Sequence, residues 1–150
     1  MSYLVLEDLF PGVPLEQIIR IEKTIQLESV RLHLLKSGKP LGVLKLTILY
    51  NSNTLATAIV ANSTFNSIGN ISITDYFHGL VLFVFNQQVA INGQNDYIFR
   101  LEGINSYAWS SANNIGWIKE YENRIAPTIT EPADFSFSPY GIEFYRYKMI

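Results

Sequence analysis

The sequence predicts an all-β fold, an antiparallel β-sandwich, on three observations. Roughly eight short stretches alternate apolar and polar residues or run continuously apolar. Gly, Pro or Asn turn signals separate most of them, and no stretch carries a convincing helical period.

The ambiguous stretch is "PLEQIIRIEK" near the start, where the isoleucines favour a strand over a helix. "IEKTIQL" then places Ile25 and Leu27 on one parity, whereas "VRLHLL" turns Val30, Leu32 and Leu34 to one face and Arg31 and His33 to the other. The phase therefore slips near Glu28 and Ser29, as a β-bulge or a break between two strands would require. "KSGKPLG" supplies a turn through Gly38, Pro40 and Gly42.

"VLKLTILY" sets Leu44, Leu46, Ile48 and Tyr50 on one face, "NSN" at 51–53 turns the chain, and "TLATAIV" reads as a short strand. "ANSTFNSIGN" reads as loop. The strongest apolar run lies in "ISITDYFHGLVLFVF", with Phe77, Val81, Phe83 and Phe85 on one face. "INGQND" turns into "YIFRLEG", where Tyr97, Phe99 and Leu101 face inward and Arg100 and Glu102 outward. After "SYAWSSANNIGW" come "IGWIKEY", a polar connection with Pro127 and Pro132, and the closing strands of "DFSFSPYGIEFYRYK", broken at Pro139 and Gly141.

A chain of 150 residues can bury a single core without staples, and the absence of cysteine removes thiolate nucleophiles, thiolate zinc sites and iron–sulfur clusters. Eleven Lys and Arg against 13 Asp and Glu are dispersed, with no basic stripe to meet a phosphate backbone, so nucleic acid is not an expected partner. Charged residues make up 16% of the chain, a low share that a buried subunit interface would accommodate. The N-terminal stretch lacks the basic region and cleavage site of a secretory signal. "GLVLFVF" falls far short of the roughly 20 residues that span a bilayer, so no membrane insertion is expected. The initial Met and the patterned last strand are read as the ends of a complete chain.

Reactive groups are sparse. His33 and His78 have no metal-ligand spacing, and Ser110 and Ser111 lack the setting of a hydrolase elbow. Asp75, Asp96, Glu102, Asp134 and Glu143 are scattered, with nothing to select a glycosidase pair. Asn95, Asp96 and Asp134 are conceivable calcium ligands, but Asx turn formation accounts for them better, so neither a metal nor any other cofactor is expected. The expectation is a protein that is not an enzyme.

The aromatic stretch offers Tyr107, Trp109, Asn113, Asn114, Trp117 and Tyr121 as a candidate ligand or interface set. Indole and phenol planes pack on sugar C–H faces, and Asn amides meet hydroxyls. The same residues suit a protein interface. A third reading has both tryptophans folding back to close one end of the sandwich.

At residues 30–42 the string "VRLHLLKSGKPLG", through Val30, Leu32, Leu34, Lys36, Gly38, Pro40 and Gly42, resembles a strand-and-turn signature of jelly-roll β-sandwich modules. Such modules recur in bacteriophage structural proteins and in carbohydrate-binding-like regions of secreted bacterial proteins. "LATA", "LFVF", "VAINGQNDYIFRL" with Gly93, Tyr97 and Leu101, and "GIEFYRYK" follow in the order that the resemblance leads one to expect. It covers the chain from about Ile25 onward and carries no reactive group with it.

The resemblance implies a single jelly-roll domain over residues 25–150; residues 1–24, which it does not cover, are read as an N-terminal arm or first strand. A module standing alone, the lack of a secretory signal, and low charge with 9 Tyr and 9 Phe add to it the expectation of a bacteriophage virion component located in the virion, a capsid decoration or tail- or fibre-associated subunit. The partners would be other virion proteins and the chain itself, a homotrimer suiting a three-fold capsid site. The alternative is a carbohydrate-binding module that takes a surface glycan through the 107–121 stretch.

Overall fold

The computed structural model describes residues 5–10, 12–38, 40–64, 76–104, 109, 110, 113–119 and 141–150. Among them lie nine strands: β1 (Val5–Asp8), β2 (Leu15–Arg20), β3 (Ile25–Ser37), β4 (Val43–Tyr50), β5 (Asn53–Ala61), β6 (Tyr76–Ile91), β7 (Asp96–Ile104), β8 (Asn114–Lys119) and β9 (Ile142–Met149). A single 3-10 turn, Asn62–Thr64, opens the stretch read as loop.

Every pairing is antiparallel, and the strands sort into two sheets packed as a sandwich. One sheet runs β1-β8-β3-β6, with β9 also on β3; the other runs β2-β7-β4-β5. β3 holds two partners end to end on one edge, β8 alongside Leu34–Ser37 and β9 alongside Ile25–Leu32.

Period-2 alternation places the core. Leu32 and Leu34 of β3, Leu44, Leu46 and Ile48 of β4, Val81, Phe83 and Phe85 of β6, and Tyr97, Phe99 and Leu101 of β7 all point between the sheets. Burying one such side chain stabilises the fold by about 1.5–3 kcal/mol. Within "PLEQIIRIEK" the residues Leu15–Arg20 form a strand, in line with the isoleucines. The hairpin after β4 turns on two residues, Asn51 and Ser52, both at positive φ, and Asn53 already belongs to β5.

The phase slip in β3 is a bulge within one continuous strand. Both neighbours shift register between Leu27 and Ser29. On β6, Val89 faces Leu27 and Val84 faces Ser29, so residues 85–88 stand opposite Glu28 alone. The irregularity keeps Ile25, Leu27, Val30, Leu32 and Leu34 all in the core despite their change of parity. At this irregular stretch β6 also meets β5. There the Asn86 side-chain oxygen accepts the Thr57 backbone N–H at 3.0 Å, and Gln87 Nε2 donates to the Leu55 carbonyl at 2.6 Å.

Residues 5–24 contribute one strand to each sheet: β1 pairs with β8 and β2 with β7. Leu9, Ile19 and Ile21 of this segment are fully buried. At the other end of the core the β6–β7 turn packs on the β2–β3 link. Gly93 N donates to Thr24 Oγ1 at 3.0 Å, and a Cβ on Gly93 would collide with the Glu22 carbonyl. Tyr97 closes the same turn by accepting the Asn92 N–H on its hydroxyl at 2.9 Å.

Candidate functional site

Trp117 belongs to β8, whose register on β3 places it opposite Leu34. Both are inward, and the indole is fully buried. Its Nε1 donates to the Gly141 carbonyl at 2.9 Å, and the His33 backbone N–H donates to the same oxygen, also at 2.9 Å. The indole thus ties β8 to β3 and to the start of β9.

Trp109 occupies a different environment. It is half-buried, packs on the edge of the core, and donates its Nε1 to the Leu41 carbonyl at 2.7 Å. Asn62, fully buried, donates its side-chain amide to the Pro40 and Leu41 carbonyls, each at 3.2 Å. The Asn62 carbonyl in turn accepts the Lys36 ammonium at 2.9 Å. Lys36 shares its parity with Leu32 and Leu34, so the strand sends a lysine inward at its end and seats it beneath the 38–42 turn. Trp109, the turn, Asn62 and Lys36 form one hydrogen-bonded closure at that end of the sandwich.

Ser110 and Asn113 exchange a pair of backbone hydrogen bonds at 3.1 Å. Asn114, buried, begins β8 opposite Ser37. The structure therefore separates the two tryptophans, one in the core and one at the rim. Tyr107 and Tyr121 lie outside the described residues, as do Asp75 and Asp134.

The remaining chemistry is spent across strands. Arg20 meets Asp96 at 2.7 Å, Arg100 meets Glu16 at 2.7 Å, and Arg31 Nη2 meets both carboxylate oxygens of Glu143 at 2.6 Å. Hydrogen bonding to Asp96, reinforced by its charge, holds the Arg20 guanidinium above the ordinary arginine range. Asn95 donates to the Gly93 carbonyl at 3.4 Å within its own turn. Among the described residues no group of three or more His, Asp or Glu side chains is gathered that could hold a metal ion.

A concavity that sequence reasoning missed opens on the outer face of the five-stranded sheet, at the bulge. This cleft of about 320 Å³ is lined by Gln26, Glu28, Gln88, Tyr145, Arg146, Tyr147 and Lys148. The available signal was the slip at Glu28 together with the aromatic and basic alternation of "YRYK" at the other end of the chain.

Fold and site together define an all-β, two-sheet sandwich whose described polar groups mostly join strands and close ends. Comparison with protein-family models, with curated proteins and with solved structures finds no match.

Proposed function

We propose that this protein is a non-enzymatic jelly-roll sandwich that works by assembly, as a bacteriophage virion subunit of the capsid-decoration or tail- or fibre-associated kind. The strand orders β1-β8-β3-β6 and β2-β7-β4-β5 support the jelly-roll reading, because two interleaved Greek keys distribute eight consecutive strands over two sheets in this way. Jelly rolls build viral capsid and lectin domains, which makes the virion reading one of fold-level analogy.

The observation that carries the assembly reading is the outer face of β6. Leu80, Leu82 and Val84 alternate with the buried Val81, Phe83 and Phe85 and stand exposed, Val84 at 55%. The strand contains no Asp, Glu, Lys or Arg over its 16 residues, unlike an edge protected by charge. A neighbouring subunit would cover this row.

Light scattering after size exclusion tests the reading. A closed oligomer, a trimer above all, that Leu82→Glu converts to a folded monomer supports it. A monomer at every concentration, with no binding to virus particles, overturns it.

The second reading is glycan binding through residues 107–121. Trp109 is the described aromatic that favours it, since part of its indole is accessible beside the Ser110–Asn113 pair.

A further inference from the structure

The bulge in β3 creates the outer-face cleft. Residues 85–88 of β6 have only Glu28 opposite them. On the other side Phe144 faces Val30 and Arg146 faces Ser29, so Tyr145 is itself an extra residue in β9. Two irregular strands flank the bulge, and side chains from three strands converge where an ordinary pleat would have carried them past one another.

We propose that this cleft binds an acidic saccharide, a sugar bearing one carboxylate. Arg146 and Lys148 hold the carboxylate, Tyr145 packs against a C–H face of the ring, and Gln26, Gln88 and Glu28 meet the hydroxyls. Its lining residues are different from the candidate set at 107–121, and the proposal does not depend on whether the chain assembles.

Pairing of the arginines is the first support. Four arginines lie among the described residues; Arg20, Arg31 and Arg100 each bind a carboxylate, while Arg146 has no ion-pair partner among those residues although Glu28 lines the same cleft. Gln26, Glu28, Gln88 and Lys148 likewise have no side-chain hydrogen bond among the described residues. Five polar side chains thus line one concavity with no protein hydrogen-bond or ion-pair partner among the described residues.

Charge selects the ligand. Arg146 and Lys148 against Glu28 leave one positive charge, which a single carboxylate balances, and the planar guanidinium fork matches two carboxylate oxygens. A phosphate dianion would meet repulsion from Glu28, whereas the hydroxyls of a sugar can donate to it.

Tyr145 is held ready. It is 44% exposed, and the Arg31 guanidinium lies 4.7 Å from its ring centroid, itself fixed on Glu143. One side of the phenol is thereby occupied and the rest of the ring is left to the cleft. A pre-placed aromatic spares the ligand the entropy of ordering it. The volume lies at the lower end of small-molecule sites, suited to one or two sugar rings, and the open form lets a longer chain continue beyond it.

The experiment titrates the full chain with galacturonic acid and with 3'-sialyllactose, each against its neutral counterpart, galactose and lactose. Sulfated lactose and a short polyglutamate peptide serve as further probes. Amide chemical shifts locate binding and calorimetry measures it.

The expected result is perturbation of Gln26, Glu28 and Tyr145–Lys148 by at least one of the two acidic saccharides, with affinity about tenfold or more above its neutral counterpart. Arg146→Gln and, separately, Lys148→Gln should each weaken that binding about tenfold while leaving the rest of the amide spectrum in place. The proposal is overturned if neither acidic saccharide outbinds its neutral counterpart, or if both variants bind as wild type does. Equal or tighter binding of the sulfated sugar or the peptide at the same amides also overturns it.

Discussion

The indole N–H of Trp117 and the carbonyl of Gly141 meet at 2.9 Å inside the sandwich, where the His33 N–H also reaches that oxygen. Gly141 has φ near +70°, and a Cβ there would lie 2.6 Å from Trp117 Nε1 and collide with the Ile118 carbonyl. Gly141→Ala therefore combines a left-handed backbone penalty with displacement of a core indole, an expected loss of about 2–4 kcal/mol. Urea denaturation monitored by tryptophan fluorescence measures it, and an unchanged midpoint would show that β9 does not depend on this junction.

The two tryptophans should separate energetically. Trp117→Ala empties a fully buried site and should cost about 3–5 kcal/mol. Trp109→Ala removes a half-buried ring and one hydrogen bond to Leu41, an expected cost of about 1–2 kcal/mol. Guanidinium unfolding of the two variants side by side gives the difference; equal costs would contradict the distinct environments.

Deleting residues 1–24 should unfold the protein. It strips β1 from one sheet and β2 from the other, with Leu9, Ile19 and Ile21 from the core. At about 1.5–3 kcal/mol for each large apolar side chain, this reaches the whole stability of a typical domain, about 5–15 kcal/mol. Circular dichroism of the truncated chain decides it, and a cooperative thermal transition like that of the full chain would refute it.

Asn86 and Gln87 cover backbone groups of β5 at Thr57 and Leu55. The double change Asn86→Ala, Gln87→Ala exposes part of that strand's hydrogen-bonding edge, which is a template for intermolecular pairing. Faster aggregation at unchanged secondary structure is expected in light scattering under agitation. Aggregation at the wild-type rate would mean that the edge is protected by something else.

Ion pairs of different burial should behave differently. Glu143, largely buried, binds Arg31 through both carboxylate oxygens, and Glu143→Gln should cost about 1–2 kcal/mol. Arg20 and Asp96 are solvent-facing, and Asp96→Asn should leave the unfolding midpoint close to wild type. Because the Arg20 pKa is raised in the folded state, its contribution is present below the ordinary arginine range and is lost only as pH rises beyond it. Melts compared at neutral and mildly alkaline pH should therefore show no loss attributable to this pair.

Strand identity and facing were legible in the sequence because alternation is local. "VLKLTILY" and "YIFRLEG" turn their inward residues to the core as their patterns require. The slip at Glu28 and Ser29 was legible as a change of parity, although parity alone does not distinguish a bulge from a break; pairing of β3 with β6 and β9 across the slip decides for the bulge. Phe135 and Phe137, which the sequence reading places in a closing strand, lie outside the described residues.

By itself, then, the sequence determined an all-β chain, the positions of most strands, and which residues of each share a face, since a strand's pleat depends only on neighbouring residues. Tertiary structure alone decided that Trp117 lies in the core while Trp109 sits at a rim on Leu41, because membership of one aromatic run says nothing of what covers each ring. It also decided that Gln26 and Glu28 meet Gln88 and Tyr145–Lys148 around one cleft. Those residues come together through strand pairing between distant parts of the chain, and no local period encodes which strand becomes whose neighbour.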